Sequence, residues 1–343
     1  MNRRPALASL YLGGGTPSLL AAPVVAGLVA LVRDRFGLAD GAEVTLEANP
    51  GPTECGDPAA WRAAGITRLS FGAQSLDPGE LWRLGRRHTP DDVATAVAQA
   101  RAAGIGSINV DLLYDIPGQT LETWHASLES ALALEPDHLS LYALTLDDPT
   151  AEGLTGPDGD HLPTPAGVRR WRERTRAAQD EDRAAETYEL ASERLAAAGY
   201  RGYEISNWAR PGHESVHNLA YWGREPYEAV GPGAHAFDGV TRRWNAARLD
   251  RYITALVPAD STAPTLPPGG AEPIDRSAAA AEAVILGLRT DSGIPGAAGR
   301  AGPFAEPLTW ALDEDLLAAT HDDRLVLTTR GRLLSNEVFA RLV

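Results

Sequence analysis

Three groups of residues in this 343-residue chain have types and spacings that suit chemistry. The first is the string Leu12-Gly13-Gly14-Gly15-Thr16-Pro17-Ser18. Successive glycines let a backbone come close to a ligand and leave N–H groups open to carboxylate or phosphate oxygens, although the same string also suits a turn that binds nothing. No Gly-Lys-Ser/Thr follows, so it is not a P-loop. The second group is Glu47, Gln74 and Asp111, each a hydrogen-bonding side chain at the end of a short apolar run. The third is His217-Asn218-Leu219-Ala220-Tyr221, where a spacing of four puts imidazole and phenol on one face if the segment is helical. A lone histidine beside aromatics is also a common structural residue. Gly231-Pro232-Gly233-Ala234-His235 adds a second glycine-rich approach, and Arg242-Arg243-Trp244-Asn245 reads first as a solvated basic turn, with pairing to the carboxylates of a ligand as the alternative.

These residues need elements to position them. Strands are expected at residues 7–12, 43–47, 67–71, 107–112 and 138–144, alternating with helical patterns, which predicts a parallel sheet wrapped by helices. Thr89-Pro90-Asp91-Asp92 has an N-cap, a first-turn proline and acids that suit a helix start; Asp57-Pro58 opens another helix. The phrase Ala-Ala-Gly recurs at 63–65, 102–104 and 197–199, each time before a β-rich run. Residues 165–198 read as a long charged helical region and 200–206 as a further strand. The Pro/Gly-dense stretch 257–275 reads as a linker, followed by a helix at about 277–288, a short strand at 325–327 and a last helix through Leu333, Val338 and Leu342. In a parallel barrel the C-terminal strand ends share one face, so Glu47, Gln74 and Asp111 are expected to converge with Gly14 and Gly15 on one cavity for a polar small molecule.

Composition narrows the class. Acidic residues number 46 against 31 basic, a formal charge of −15, which argues against nucleic acid or an anionic membrane as the main partner. One cysteine, Cys55, excludes internal disulfides and any metal site built from several thiolates of this chain. No stretch reaches the apolar length of a membrane span, and the N-terminal residues lack a signal-type apolar run, so the expected location is cytoplasmic.

Taken jointly, residues 12–20, 46–51, 68–90 with Gly85-Arg86-Arg87-His88-Thr89-Pro90, 109–120 with Ile116-Pro117-Gly118-Gln119-Thr120, and 204–221 resemble the radical S-adenosylmethionine family that holds oxygen-independent coproporphyrinogen III oxidase (dehydrogenase) and its heme-chaperone relatives. The resemblance runs over nearly the whole chain. It implies a partial (β/α)6 barrel with a small, mainly helical C-terminal module, divided as a core at 1–206, a connecting region at 207–256, a linker at 257–275 and the module at 276–343. It places Gly14, Gly15, Thr16, Glu47, Gln74, Arg86, Asp111, Ala143 and His235 on S-adenosylmethionine-contacting positions, with Arg87 able to exchange with Arg86. A carboxylate suits ribose hydroxyls or the α-amino group, and an arginine fork suits the methionyl carboxylate.

His217, Asn218 and Tyr221 match the H-N-x-x-Y heme-binding motif of the chaperone branch, and imidazole or phenolate can ligate heme iron. The family's C-x3-C-x2-C loop, which holds a [4Fe–4S] cluster, is expected before the glycine string, and this chain lacks its cysteines and its βα unit. A gene start set downstream of the true one is the expected reason. The reading that follows is a chaperone that binds heme and passes it to an acceptor protein, with S-adenosylmethionine as cofactor and the cluster only in a complete chain. Coproporphyrinogen III dehydrogenase and an inactive fragment are the alternatives.

Overall fold

The computed structural model describes residues 5–144, 175–176, 178–256 and 269–343. It divides into two compact units. One comprises residues 5–144, 179–219 and 290–292; the other comprises chiefly 220–256, 269–289 and 293–343.

The first unit is a curled seven-stranded sheet backed by helices. Strands β1 (Leu7–Leu12), β2 (Leu38–Ala48), β3 (Arg68–Gln74), β4 (Ser107–Tyr114) and β5 (His138–Ala143) pair in parallel and in chain order. Helices α1 (Ala22–Phe36), α2 (Pro58–Ala63), α3 (Pro78–Arg83), α4 (Pro90–Ala102) and α5 (Leu121–Ala133) form the connections, and α6 (Glu181–Ala197) precedes the last two strands. The helix starts follow the local chemistry. Asp57 accepts from Ala59 N, Asp77 from Glu80 N, and Thr89 and Thr120 form reciprocal caps with Asp92 and Thr123. The recurring Ala-Ala-Gly phrase resolves at Gly65, Gly104 and Gly199, whose φ angles of 99°, 75° and 85° let each helix end turn into a strand.

Along the strands apolar and polar residues alternate, and the two sheet faces differ accordingly. Leu46, Leu69, Phe71, Ile108, Val110, Leu112, Leu139 and Leu141 are buried together with Trp61, Val93, Trp124 and Leu128 from the helices. The opposite face carries Tyr11, Glu43, Glu47, Arg68, Ser70, Asn109, Asp111, His138 and Ser140, which bond to one another. A parallel sheet covered on both faces would read as continuous apolar runs. This one is a half-barrel with a polar inner wall.

The chain departs from expectation after β5. Residues 200–206 do not form one strand; β6 (Arg201–Gly202) and β7 (Asn207–Ala209) form a hairpin-like pair, in which β7 lies antiparallel to β5 and β6 forms the sheet edge. Asn207–Ala209, expected in the connecting region, is thus part of the sheet. Glu204 explains the turn, because its carboxylate accepts from Ser206 N and from the Asn207 amide, which bends the chain between the strands.

The second unit holds a three-stranded antiparallel sheet of His235–Phe237, Thr241–Asn245 and Gly269–Pro273, followed by the helix Arg276–Leu288. The strand Gly269–Pro273 occupies the end of the expected linker; residues 257–268 lie outside the described residues. A second small sheet joins Ile294–Pro295, Leu317–Ala319 and Arg324–Leu327 around Leu308, Leu316, Leu325, Leu327 and Val338. The single helix expected through Leu333 to Leu342 is two short ones, Thr329–Leu333 and Ser335–Phe339. Leu334, at φ −102° and ψ 24°, leaves helical geometry between them.

Candidate functional site

The C-terminal ends of β1 to β4 bring most of the expected site residues together. Glu47 is the anchor on β2: Tyr11 donates its hydroxyl to Oε1 at 2.7 Å, and Gly14 donates its backbone N–H to Oε2 at 3.0 Å. Gly14 has a φ of 104°, and nothing stands within 4 Å of where a side chain at Gly14 or Gly15 would begin. Gly13 is different, since a Cβ there would meet Tyr11 at 2.6 Å and the Glu47 carboxyl at 3.0 Å. The string thus has one glycine that lets Tyr11 reach Glu47 and two that present open backbone.

Asn49 links the rest. Its amide donates to Thr16 Oγ1 at 3.4 Å and its Oδ1 accepts from Arg86 Nη1 at 3.4 Å. Gln74 sits at a φ of 67° after a break in the β3–β4 register, and its amide lies beside Gly72, which also faces Asn49. Arg86 is half-buried, its basicity lowered by burial but supported by the charges of Glu54 and Asp111; Arg87 is exposed. Asp111 accepts from Ser70 at 3.1 Å and from Asn109 at 2.7 Å, yet burial, aided by the charge of Glu47, raises its pKa above the usual carboxylate range. Ala143 ends β5 opposite Tyr114. His235 belongs to the second unit, on the strand His235–Phe237, where it lines a cavity.

Deeper in the half-barrel a hydrogen-bond chain runs across β3, β4, β5 and the β6–β7 turn. Asn109 Oδ1 can only accept, so His138 Nδ1, 2.7 Å away, carries the ring proton and Nε2 accepts from Tyr203 OH at 2.9 Å, while Tyr203 OH accepts from Ser215 N. Asn109 in turn donates to Asp111. His138 is fully buried and its pKa lies well below the usual imidazole range.

The third group lies on α7 (Val216–Trp222), which carries His217, Asn218 and Tyr221. Glu43 caps its start, accepting from Ser215 Oγ at 3.2 Å and from the N–H groups of Val216 and His217 at 3.1 Å each. His217 Nδ1 lies 3.0 Å from Ser9 Oγ and its ring stacks on Tyr11, with centroids 4.8 Å apart and planes 21° apart. Burial lowers its pKa, against the pull of Glu43, which favours the neutral imidazole. Tyr221 lines a cavity of the second unit.

Tyr11, Glu43, Asn49, Ser70, Asn109, His138 and Ser140 were not among the expected site residues. The signal that points to them is the strict apolar–polar alternation in runs such as Ser107-Ile108-Asn109-Val110-Asp111-Leu112, which marks a polar inner face.

Residues 2–131 match the model of the Radical SAM superfamily. The chain is 41% identical over 339 residues to the heme chaperone HemW of Mycobacterium tuberculosis, covering 99% of this chain and 81% of that one. The chain belongs to the HemW family of radical SAM proteins. The HemW of Bacillus subtilis is 32% identical over 349 residues, covering 98% of this chain and 85% of that one. In fold, the chain is similar to the coproporphyrinogen III oxidase HemN of Escherichia coli, with a TM-score of 0.77 at 22% identity, covering 98% of this chain and 77% of that one.

Membership in the HemW family implies S-adenosylmethionine and a [4Fe–4S] cluster, and the two fare differently against the residues present. The open backbone of Gly14 and Gly15, the carboxylates of Glu47 and Asp111 and the Arg86 guanidinium fit the hydroxyl, amino and carboxylate groups of S-adenosylmethionine. The cluster does not fit. Cys55 is the chain's one cysteine, burial pushes its thiol up to about 11, and among the described residues no group of three His, Cys, Asp or Glu side chains is placed to hold a metal. Among the described residues no helix is long and apolar enough to cross a membrane.

Proposed function

We propose that this chain is a heme chaperone, which binds heme through the string on α7 and hands it to an acceptor protein. The observation that carries the reading is the place of His217, on a helix whose start is held by Glu43 and with its ring stacked on Tyr11, where burial lowers its pKa and favours the neutral form. A neutral ring is the form that ligates iron. Tyr221, one turn further, is the alternative oxygen ligand, and Asn218, whose N–H donates to Ser215 Oγ, secures the first turn. The identity to heme chaperones over almost the whole chain supports the same reading.

S-adenosylmethionine binds at the strand ends, its methionyl carboxylate at Arg86 and the glycine backbone, its ribose hydroxyls and amino group at Glu47 and Asp111, with Thr16, Gln74 and Ala143 around it. When bound beside a reduced cluster it supplies radical chemistry. No step of heme binding runs through a cluster here, since this chain's residues do not fit one. The acidic composition and single cysteine suit a cytoplasmic protein.

A ferric heme titration followed by the Soret band tests the reading. His217→Ala should shift the band and weaken binding by at least about tenfold, the loss of one iron bond. His321→Ala, at a side chain 98% exposed, should match wild type. Equal spectra and affinities across the three proteins would show that His217 is only a structural residue.

A further inference from the structure

A cavity of about 370 Å³ lies within the second unit. Its walls are aromatic: Tyr221 meets Tyr227 edge to face with centroids 4.6 Å apart, and Tyr227 lies 6.2 Å from Phe237. The charged part of the lining is one carboxylate held by two guanidinium groups, with the His235 imidazole and the Trp222 indole also on the wall. Arg224 donates to Glu282 Oε2 from Nε at 3.3 Å and from Nη2 at 3.1 Å, and Arg242 donates to Oε1. These three come from separate places in the chain: Glu282 from the helix Arg276–Leu288, Arg242 from the strand Thr241–Asn245, and Arg224 from a turn where its φ is 53°. A non-glycine residue in that left-handed region is uncommon and is held there by its surroundings. Here Arg224 is held by Glu282 and by the Phe237 ring, 5.2 Å from its guanidinium carbon.

The cavity lining thus carries two fixed cations against one anion. Arg242 also lies 3.6 Å from Glu272, but Glu272 is not part of the lining, and its side chain is 58% exposed and screened by water. Arginine forks are shaped for planar carboxylates, and low-dielectric aromatic walls strengthen such pairing. A carboxylate-bearing flat ring satisfies both halves of the lining at once, and Glu282 shows where its carboxylate would sit.

We propose that this cavity receives the carboxylate-bearing edge of a tetrapyrrole, whose carboxylate takes the place of Glu282 on Arg224 and Arg242 while the ring lies against Tyr221, Tyr227 and Phe237. The ligand class rests on the heme reading above; the recognition of its carboxylates by this cavity is a separate property and needs no iron.

The test therefore uses the full chain with metal-free protoporphyrin IX and with its dimethyl ester, titrated by porphyrin fluorescence in one detergent-containing buffer. Wild type should bind the acid about tenfold more tightly than the diester, the worth of a charge-assisted pair. Arg242→Gln should reduce the acid to the affinity of the diester. Glu282→Gln keeps the side chain's shape and removes the competing charge, so it should tighten the acid by about fivefold and leave the diester unchanged. A merely structural Glu282 would instead weaken both porphyrins alike, and that result overturns the proposal even if Arg242→Gln fails to fold. Equal binding of acid and diester by wild type, or binding of neither, overturns it too. A preserved acid preference in a protein whose ferric heme spectrum ignores His217→Ala would count against iron ligation by His217 and still support this cavity.

Discussion

The ring of Tyr11 lies nearly parallel to the imidazole of His217, 4.8 Å away centroid to centroid, while its hydroxyl donates to Glu47 at 2.7 Å. One strand residue therefore touches both the string on α7 and the anchor of the glycine-rich loop. The two contacts use different parts of the side chain, so they separate by mutation. Tyr11→Phe keeps the stacked ring and deletes one charge-assisted hydrogen bond, which should weaken S-adenosylmethionine binding about fivefold in calorimetry and leave the ferric heme Soret band in place. Tyr11→Ala should disturb both. If Tyr11→Phe moved the Soret band as far as Tyr11→Ala does, the hydroxyl and not the ring would be what positions His217.

Three histidines of the first unit, His88, His138 and His217, have pKa values lowered from the ordinary 6.5, burial being the first cause in each. The unfolded chain takes up protons near pH 6.5 that the folded chain refuses. Stability from these groups is complete above about pH 6.5 and is lost as the pH falls through the window below it. Asp111, whose raised pKa starts from an ordinary 3.8, acts in the opposite direction. Urea midpoints should fall between about pH 7.5 and about pH 5.5, and His138→Gln should flatten that dependence while lowering stability overall. An equal fall in wild type and variant would assign the pH response elsewhere.

Glu80 is fully buried at the end of the first turn of α3 and accepts from Ser75 Oγ at 2.6 Å, Gln119 Nε2 at 3.0 Å and Thr123 Oγ1 at 2.8 Å. The Ile116–Thr120 string is therefore a brace for the segment that leads to Arg86, and not part of the ligand face. Glu80→Ala leaves three donors without their acceptor and should cost about 3 kcal/mol or more in urea unfolding. A loss below about 1 kcal/mol would mean that water replaces the carboxylate.

Anaerobic reconstitution of this chain with iron and sulfide should give no stable [4Fe–4S] centre, because the one thiol is half-buried and pushed up to about 11. Iron and sulfide analysis with the visible spectrum checks this; a stoichiometric cluster with its characteristic band would refute it.

The elements were largely legible in the sequence because their causes are local. Asp57 and Thr89 cap helices through N–H groups two or three residues away, and Gly65, Gly104 and Gly199 supply the positive φ that ends a helix. The strand ends at Glu47, Gln74 and Asp111 follow from the same alternation of strand and helix, so their meeting on one face of the sheet could be expected before any coordinate. Family membership was legible for the same reason, as strings of adjacent residues. What the tertiary structure decided lies in pairings between distant residues. Ser9 meets His217 across 208 positions, Glu43 caps α7 across 173, and Asn49 joins Thr16 to Arg86. The turn of β7 against β5 depends on the Glu204 carboxylate, and the double clamp on Glu282 on a strand, a turn and a helix arriving together. No spacing along the chain encodes such meetings, because they exist only once the curl of the half-barrel and the packing of each unit bring the side chains within a hydrogen bond's length.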